Sequence, residues 1–165
     1  QGISIFKMNL INPLSWLSLG FGSGLSPVAP GTAGSILALA IYYFLLSGLL
    51  VTWIDSFFFL LFIVISFLLG LYIYPRTVEE ENDPGSYVWD EFVGMWIACL
   101  PLPFLENSFQ WLFVSFFLFR LFDIWKPIGI KFFDKKHGAF NVMMDDVIAG
   151  IYSAILVIFL STFFQ

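Results

Sequence analysis

The 165-residue chain is 59% hydrophobic, 21% aromatic and only 12% charged. Soluble domains carry about a quarter charged residues, so this composition excludes an ordinary water-soluble domain and predicts apolar surface that faces lipid. The formal net charge of −5 argues against a nucleic-acid partner, which requires a basic face. Cys99 is the only cysteine of the chain, so no internal disulfide or thiolate metal cage can form, and an inert core residue is expected there.

The apolar runs predict an all-α integral membrane bundle, organised as a single membrane-embedded domain over residues 1–165. A helix that crosses a bilayer needs about 20 mostly apolar residues. About five transmembrane helices are predicted, at Ala33–Thr52, Phe57–Tyr74, Tyr87–Leu105, Phe109–Trp125 and Val147–Phe164. Pro101 and Pro103 interrupt the third of these near its end.

The N-terminal part of the chain carries one further short apolar stretch. Residues 1–12 contain one lysine and no long apolar core, which is unlike a secretory signal. Asn9–Leu19 is too short to span a bilayer. We expect it to form a short helix that lies at the membrane interface or plugs the bundle.

The cations predict the orientation of this bundle. If five spans alternate from a cytoplasmic N-terminus, every lysine and arginine reaches the cytoplasmic side: Lys7, Arg76, Arg120, Lys126, Lys131, Lys135 and Lys136. The opposite turns carry only Asp55 and Glu106. Positive loops stay in the cytoplasm, so the pattern predicts a cytoplasmic N-terminus and an external C-terminus.

Five carboxylates fall near the same predicted membrane edge, at Asp90, Glu91, Asp123, Asp145 and Asp146. Ionisable groups at such depth usually face the interior of a bundle and mark a functional site. Local interpretations remain open, since the adjacent acid pairs could cap their helices. Arg120 and Asp123 could likewise form a pair within one helix.

Such a cluster cannot remain ionised without cations, because like charges a few ångströms apart repel strongly. Protonation and a bound metal are the two possible answers. A ligand set of oxygens alone favours magnesium. Zinc is disfavoured, because His137 is the only histidine and Cys99 is remote from the acids; His137 is expected to be an interfacial residue rather than a catalytic one.

A phosphate site is indicated by the start of the first span. The segment Pro30-Gly31-Thr32-Ala33-Gly34-Ser35 carries small side chains, so its backbone N–H groups could bind an anion, although it could also be a helix-packing face. Arg120 and Lys126 supply cations that suit phosphate oxygens. Since histidine- and cysteine-based phosphatase motifs are absent from the sequence, metal-assisted attack by water remains, with a carboxylate as general base.

Four sequence blocks together resemble the phosphatidylglycerophosphatase A family, in that family's order. They are Pro30–Ser35, Asp83-Pro84 with Val88–Gly94, Phe119–Pro127 and Met144–Gly150. The resemblance implies an all-helical enzyme of the bacterial inner membrane. It also implies magnesium-dependent hydrolysis of phosphatidylglycerophosphate, a phospholipid, to phosphatidylglycerol and inorganic phosphate.

The resemblance also assigns site residues. It implies metal or base positions at the five acids and phosphate contacts at Thr32, Arg120 and Lys126, to which the helix start adds Gly31. Our division of these roles makes Asp90, Glu91, Asp145 and Asp146 metal ligands, and it makes Glu91, Asp123, Asp145 and Asp146 catalytic.

The alternative function is a membrane cation transporter or an accessory subunit that uses the same carboxylates. Carrier sites usually lie near the bilayer midplane between structural repeats. The acids here cluster at one edge and no repeat is visible in the sequence, so the hydrolase is preferred.

Overall fold

The computed structural model describes residues 12–78, 85–127, 129–134 and 138–164. Within these ranges the chain forms α-helices and short 3₁₀ or π turns, and no strand. The α-helices are α1 (Pro13–Ser18), α2 (Pro30–Ile41), α3 (Trp53–Thr77), α4 (Trp89–Ala98), α5 (Ser108–Trp125), α6 (Ile130–Asp134) and α7 (Ala139–Phe164). A π turn at Tyr42–Leu46 and a 3₁₀ turn at Ser47–Leu49 extend α2.

Four helices in the described part of the chain are long and apolar enough to cross a membrane: Pro30–Leu49, Trp53–Thr77, Ser108–Trp125 and Ala139–Phe164. Their outer faces expose large apolar side chains; Phe58, for example, is 60% exposed and Phe117 is 66% exposed. Water would disfavour so much apolar surface. The predicted all-α membrane bundle is therefore confirmed.

Local sequence signals explain where several of these helices begin. Thr52 and Asp55 form a reciprocal capping box at the start of α3, where the Thr52 N–H donates to Asp55 Oδ2 over 2.8 Å. Pro30 occupies the first turn of α2, where its missing N–H costs no hydrogen bond. Asn12 caps α1 by accepting a hydrogen bond from the Leu14 N–H.

The third predicted span, Tyr87–Leu105, is not one continuous helix. It consists of the ten-residue α4, a turn and a 3₁₀ turn at Leu102–Phe104, because Pro101 and Pro103 cannot continue a helix. The segment still lies along α3 and contacts it at both ends. At its start the Trp89 indole donates to the Ser66 carbonyl oxygen, and at its end Phe104 stacks on Trp53 with ring centroids 4.1 Å apart.

Helix α4 is the centre of the bundle. Every residue from Trp89 to Ala98 is buried, as expected for a helix that neighbouring helices surround on all sides. It packs against α2, α3, α5 and α7. Gly94 allows α7 to approach closely, because a Cβ there would lie 2.7 Å from the Asp146 carbonyl oxygen and 2.6 Å from the Phe119 ring.

Helix α1 is much too short to span a bilayer, as predicted for the Asn9–Leu19 stretch, of which residues 9–11 lie outside the described residues. The Ser18 hydroxyl lies 2.7 Å from the Thr77 hydroxyl at the end of α3. The Ser18 carbonyl accepts a hydrogen bond from the Val88 N–H just before α4. α1 is thus packed against one end of the bundle, while its depth in the membrane stays a prediction.

The Gly94 contact predicts a specific packing defect. Glycine is unfavourable in a helix by about 1 kcal/mol relative to alanine, yet we expect Gly94→Ala to lower the free energy of unfolding by about 1–3 kcal/mol through overpacking. A thermal melt in detergent would measure the loss. Gly48→Ala is the control, because a Cβ at Gly48 has open space within 4 Å; equal stability of the two variants would contradict the prediction.

Candidate functional site

Three carboxylates from three helices meet at one end of the bundle. They are Glu91 on α4, Asp123 on α5 and Asp146 on α7, and each places one carboxylate oxygen within 4.8 Å of the other two. Among the described residues, this is the group of acids that could hold a metal ion. Glu91 and Asp146 are buried, and the Asp123 side chain is only 12% exposed. We call these residues the acidic triad.

The position of Asp145 and Asp146 within α7 rules out one local interpretation. α7 begins at Ala139, so both acids lie well beyond its first turn, and the helix dipole acts mainly within that turn. They are therefore not caps of this helix. Asp90 and Glu91 do lie in the first turn of α4, but the Glu91 carboxylate is bonded to groups on other helices.

Arg120 joins two members of the acidic triad. Its Nη1 donates to Glu91 Oε2 and, over 2.9 Å, to Asp123 Oδ2. The Arg120–Asp123 ion pair expected within one helix is therefore present. Arg120 also forms an ion pair with Glu91 on α4, so its role is not confined to its own helix. Its guanidinium is the cation that compensates the buried negative charge of both acids.

The start of α2 lies against this cluster. A Cβ at Gly31 would overlap the Glu91 carboxylate and would lie 3.5 Å from Arg120 Nη1, so only glycine permits this approach. Thr32 follows in the same helical turn and is partly buried. The predicted convergence of the small-residue helix start with the acids is thus present, whereas the binding of phosphate by Gly31 and Thr32 remains a prediction.

A second ion pair borders the acidic triad. Lys126 follows the last residue of α5 and places its Nζ 3.0 Å from Asp145 Oδ2. Lys126 has a left-handed backbone, with φ of 48°. Asp145 is therefore neutralised by Lys126, whereas Asp146, the next residue, belongs to the acidic triad.

The remaining predicted metal ligand, Asp90, is buried next to Glu91, and its Oδ1 accepts a hydrogen bond from the Glu91 N–H. Neither Asp90 nor Asp145 belongs to the group of three that could hold a metal. Their assignment as ligands therefore remains a prediction. Asp123, predicted as catalytic, lies among the potential ligands.

Ser35 was not predicted as a separate site residue. Its hydroxyl lies 3.0 Å from Glu91 Oε2 and 3.2 Å from Arg120 Nη1. The only signal in the sequence is its spacing of four residues from Gly31, which places both on one face of α2. Cys99 is fully buried, as expected for a core residue, and His137 lies outside the described residues.

The acidic triad suits a divalent metal chemically. Its three carboxylates offer hard oxygen donors, and one guanidinium neutralises only part of their charge. Oxygen donors of this kind bind magnesium, calcium or manganese rather than soft metals. The residues present therefore fit a divalent cation.

Comparison with known proteins identifies the family of the chain. The family model described as phosphatidylglycerophosphatase A matches residues 16–161. A phosphatidylglycerophosphatase A of Haemophilus influenzae is 46% identical, over 92% of this chain and 90% of its own length. One of Escherichia coli is 39% identical, over 93% of this chain and 87% of its own length.

No solved structure matches the chain. The family match spans all three helices that carry the acidic triad and the start of α2. It confirms the resemblance found in the sequence blocks. The chain belongs to the phosphatidylglycerophosphatase A family.

Proposed function

We propose that this protein hydrolyses phosphatidylglycerophosphate to phosphatidylglycerol and inorganic phosphate, with magnesium bound at the acidic triad. The observation that carries the proposal is the convergence of Glu91, Asp123 and Asp146 from three helices beside Arg120. The relatives named as phosphatidylglycerophosphatases support the substrate. The reaction would take place at the cytoplasmic face of the bacterial inner membrane.

Magnesium is preferred because the potential ligands are all carboxylates. Magnesium is typically bound by one or two carboxylates together with substrate phosphate oxygens. When bound, it would act as a Lewis acid toward the phosphoryl group. Glu91 and Asp146 are our first choice of ligands, because both are buried and come from helices that pack directly against each other.

The phosphate would bind between the acidic triad and the start of α2. Arg120 could donate to phosphate oxygens, since a guanidinium matches their geometry. The first turn of α2 at Gly31 and Thr32 would add backbone N–H groups. Lys126, partly exposed at the edge of the site, would contribute positive charge toward the lipid headgroup.

Hydrolysis requires a group that accepts the proton of the attacking water. Water would form a bond to phosphorus while the bond between phosphorus and the glycerol oxygen breaks, and the glycerol oxygen would take up a proton. Asp123 is our first candidate for the base, because its pair with Arg120 places it next to the phosphate contact. Asp145 is held by Lys126 and would instead orient that lysine.

The placement of charged residues supports the cytoplasmic orientation. Arg76 and Lys126 lie at the ends of α3 and α5, at the end of the bundle that carries the acidic triad. Asp55 and Glu106 lie at the opposite end, where Trp53 stacks on Phe104. Since positive residues remain on the cytoplasmic side, the site would face the cytoplasm.

The alternative of a cation transporter or an accessory subunit is not favoured. The acidic triad lies near one end of the bundle, whereas carrier sites lie near the membrane midplane. The named relatives are phosphatases. An accessory role would also not explain why three costly acids from three helices gather inside the bundle.

Removal of metal tests the magnesium requirement. We expect a chelator to abolish phosphate release from phosphatidylglycerophosphate by the detergent-solubilised protein, because the acidic triad would lose its Lewis acid. Added magnesium should restore the rate, measured as inorganic phosphate released per minute. Full activity after exhaustive chelation would refute the magnesium requirement, whereas the proposed hydrolysis of the lipid phosphate would still stand.

Substitution of the acidic triad tests its role directly. Glu91→Gln and Asp146→Asn should each lower kcat by roughly a hundredfold or more, since each removes a charge from the metal and phosphate site. Glu106→Gln at the opposite end of the bundle is the matched control and should keep its activity. If both acid variants fold and remain as active as Glu106→Gln, the triad is not the active site.

A further inference from the structure

Ser35 has three polar contacts that no role assigned so far explains. It lies on α2 and is fully buried. Its hydroxyl oxygen is 3.0 Å from Glu91 Oε2, 3.2 Å from Arg120 Nη1 and 2.9 Å from the Gly31 carbonyl oxygen. A single hydroxyl group therefore contacts α4 and α5 as well as its own helix.

The chemistry of these groups gives the contacts a direction. A guanidinium only donates hydrogen bonds and an ionised carboxylate only accepts them, whereas a hydroxyl has one hydrogen and two acceptor sites. The Ser35 hydroxyl thus accepts from Arg120. Its single hydrogen is donated either to Glu91 or to the Gly31 carbonyl, and in the first case Arg120, Ser35 and Glu91 form one continuous chain of hydrogen bonds.

Arg120 and Glu91 have long side chains with several rotatable bonds, and they come from different helices. Their direct ion pair fixes a distance but leaves freedom of rotation. A short hydroxyl on a rigid helix, bonded to both, removes much of that freedom. Groups behind the directly acting residues orient metal ligands and phosphate contacts in this way.

We infer that Ser35 is a positioning residue, which holds the Glu91 carboxylate toward the metal and the Arg120 guanidinium toward the phosphate. The inference rests on the proposed function, because the orientation matters for catalysis only if these two residues act on metal and phosphate. Ser35 itself contacts Glu91 and Arg120 from α2 and would act only through these two residues. Its loss should weaken both activity and metal binding without removing any charge.

Two variants test the hydroxyl and one controls for packing. Ser35→Ala removes the group, and Ser35→Cys keeps its shape with a thiol that donates only weakly. Ser153→Ala is the matched control, because Ser153 is also fully buried and donates to a carbonyl four residues earlier, that of Ala149, over 2.7 Å. With saturating magnesium and lipid, we expect kcat to fall roughly ten- to a hundredfold in both Ser35 variants, as for the loss of a hydrogen bond to a charged group.

A second measurement needs no lipid substrate. Magnesium should raise the thermal unfolding temperature of the wild-type protein in detergent, since a ligand that binds the folded state stabilises it. The magnesium concentration that gives half of this rise should increase about tenfold in Ser35→Ala and Ser35→Cys, and it should be unchanged in Ser153→Ala. This separates the two proposals, because a wild-type protein that is stabilised by magnesium but releases no phosphate from the lipid refutes the proposed substrate alone.

The role of Ser35 is overturned by either of two results. One is an active wild type with Ser35 variants that match it in both kcat and magnesium response. The other is an equal loss in Ser153→Ala, which would assign the defect to general packing. If Ser35→Ala fails to fold, Ser35→Cys decides the question by the same two measurements.

Discussion

Carboxylates inside an apolar helix bundle are stable only when cations and hydrogen-bond donors replace the water that they lose. Two cations at the end of α5 replace part of that water: Arg120 in its last turns is bonded to Glu91 and Asp123, and Lys126, which follows its last residue, is bonded to Asp145. The acids on α4 and α7 are thus tied to α5 by charge. The relative positions of these three helices depend on that compensation.

The compensation is incomplete when all three acids of the triad are ionised, and the proposed function rests on this. One guanidinium beside the three acids of the triad leaves net negative charge in a buried place, which a divalent cation would balance. A lipid phosphate could then bind where metal, Arg120 and the start of α2 converge. Gly31 permits this convergence, because any side chain there would occupy the place of the Glu91 carboxylate.

The sequence predicted the apolar helices and the gathering of acids at one end. Both predictions rest on local patterns, namely the long apolar runs and the charged residues that lie at their ends. It did not predict which acids meet. Adjacent helical residues point about 100° apart, so the rotation of α7 about its axis decides that Asp146 meets Glu91 and Asp123 while Asp145 meets Lys126. The role of Ser35 was missed for a similar reason, since its partner Glu91 is 56 residues away in the chain. Pro101 and Pro103 were recognised in the sequence as interruptions of the third span. The end of α4 at Ala98 was not predicted, because it depends on tertiary packing as well.

The shortness of α4 has a consequence for how the protein enters the membrane. Ten residues that begin with Trp89, Asp90 and Glu91 are far shorter than the roughly 20 apolar residues that let a helix partition into a bilayer by itself. Lipid would also disfavour its two carboxylates. A helix of this length and charge is not expected to enter lipid alone, so α4 would insert together with its neighbours. The acidic triad can be complete only after α7, which carries Asp146, has been synthesised.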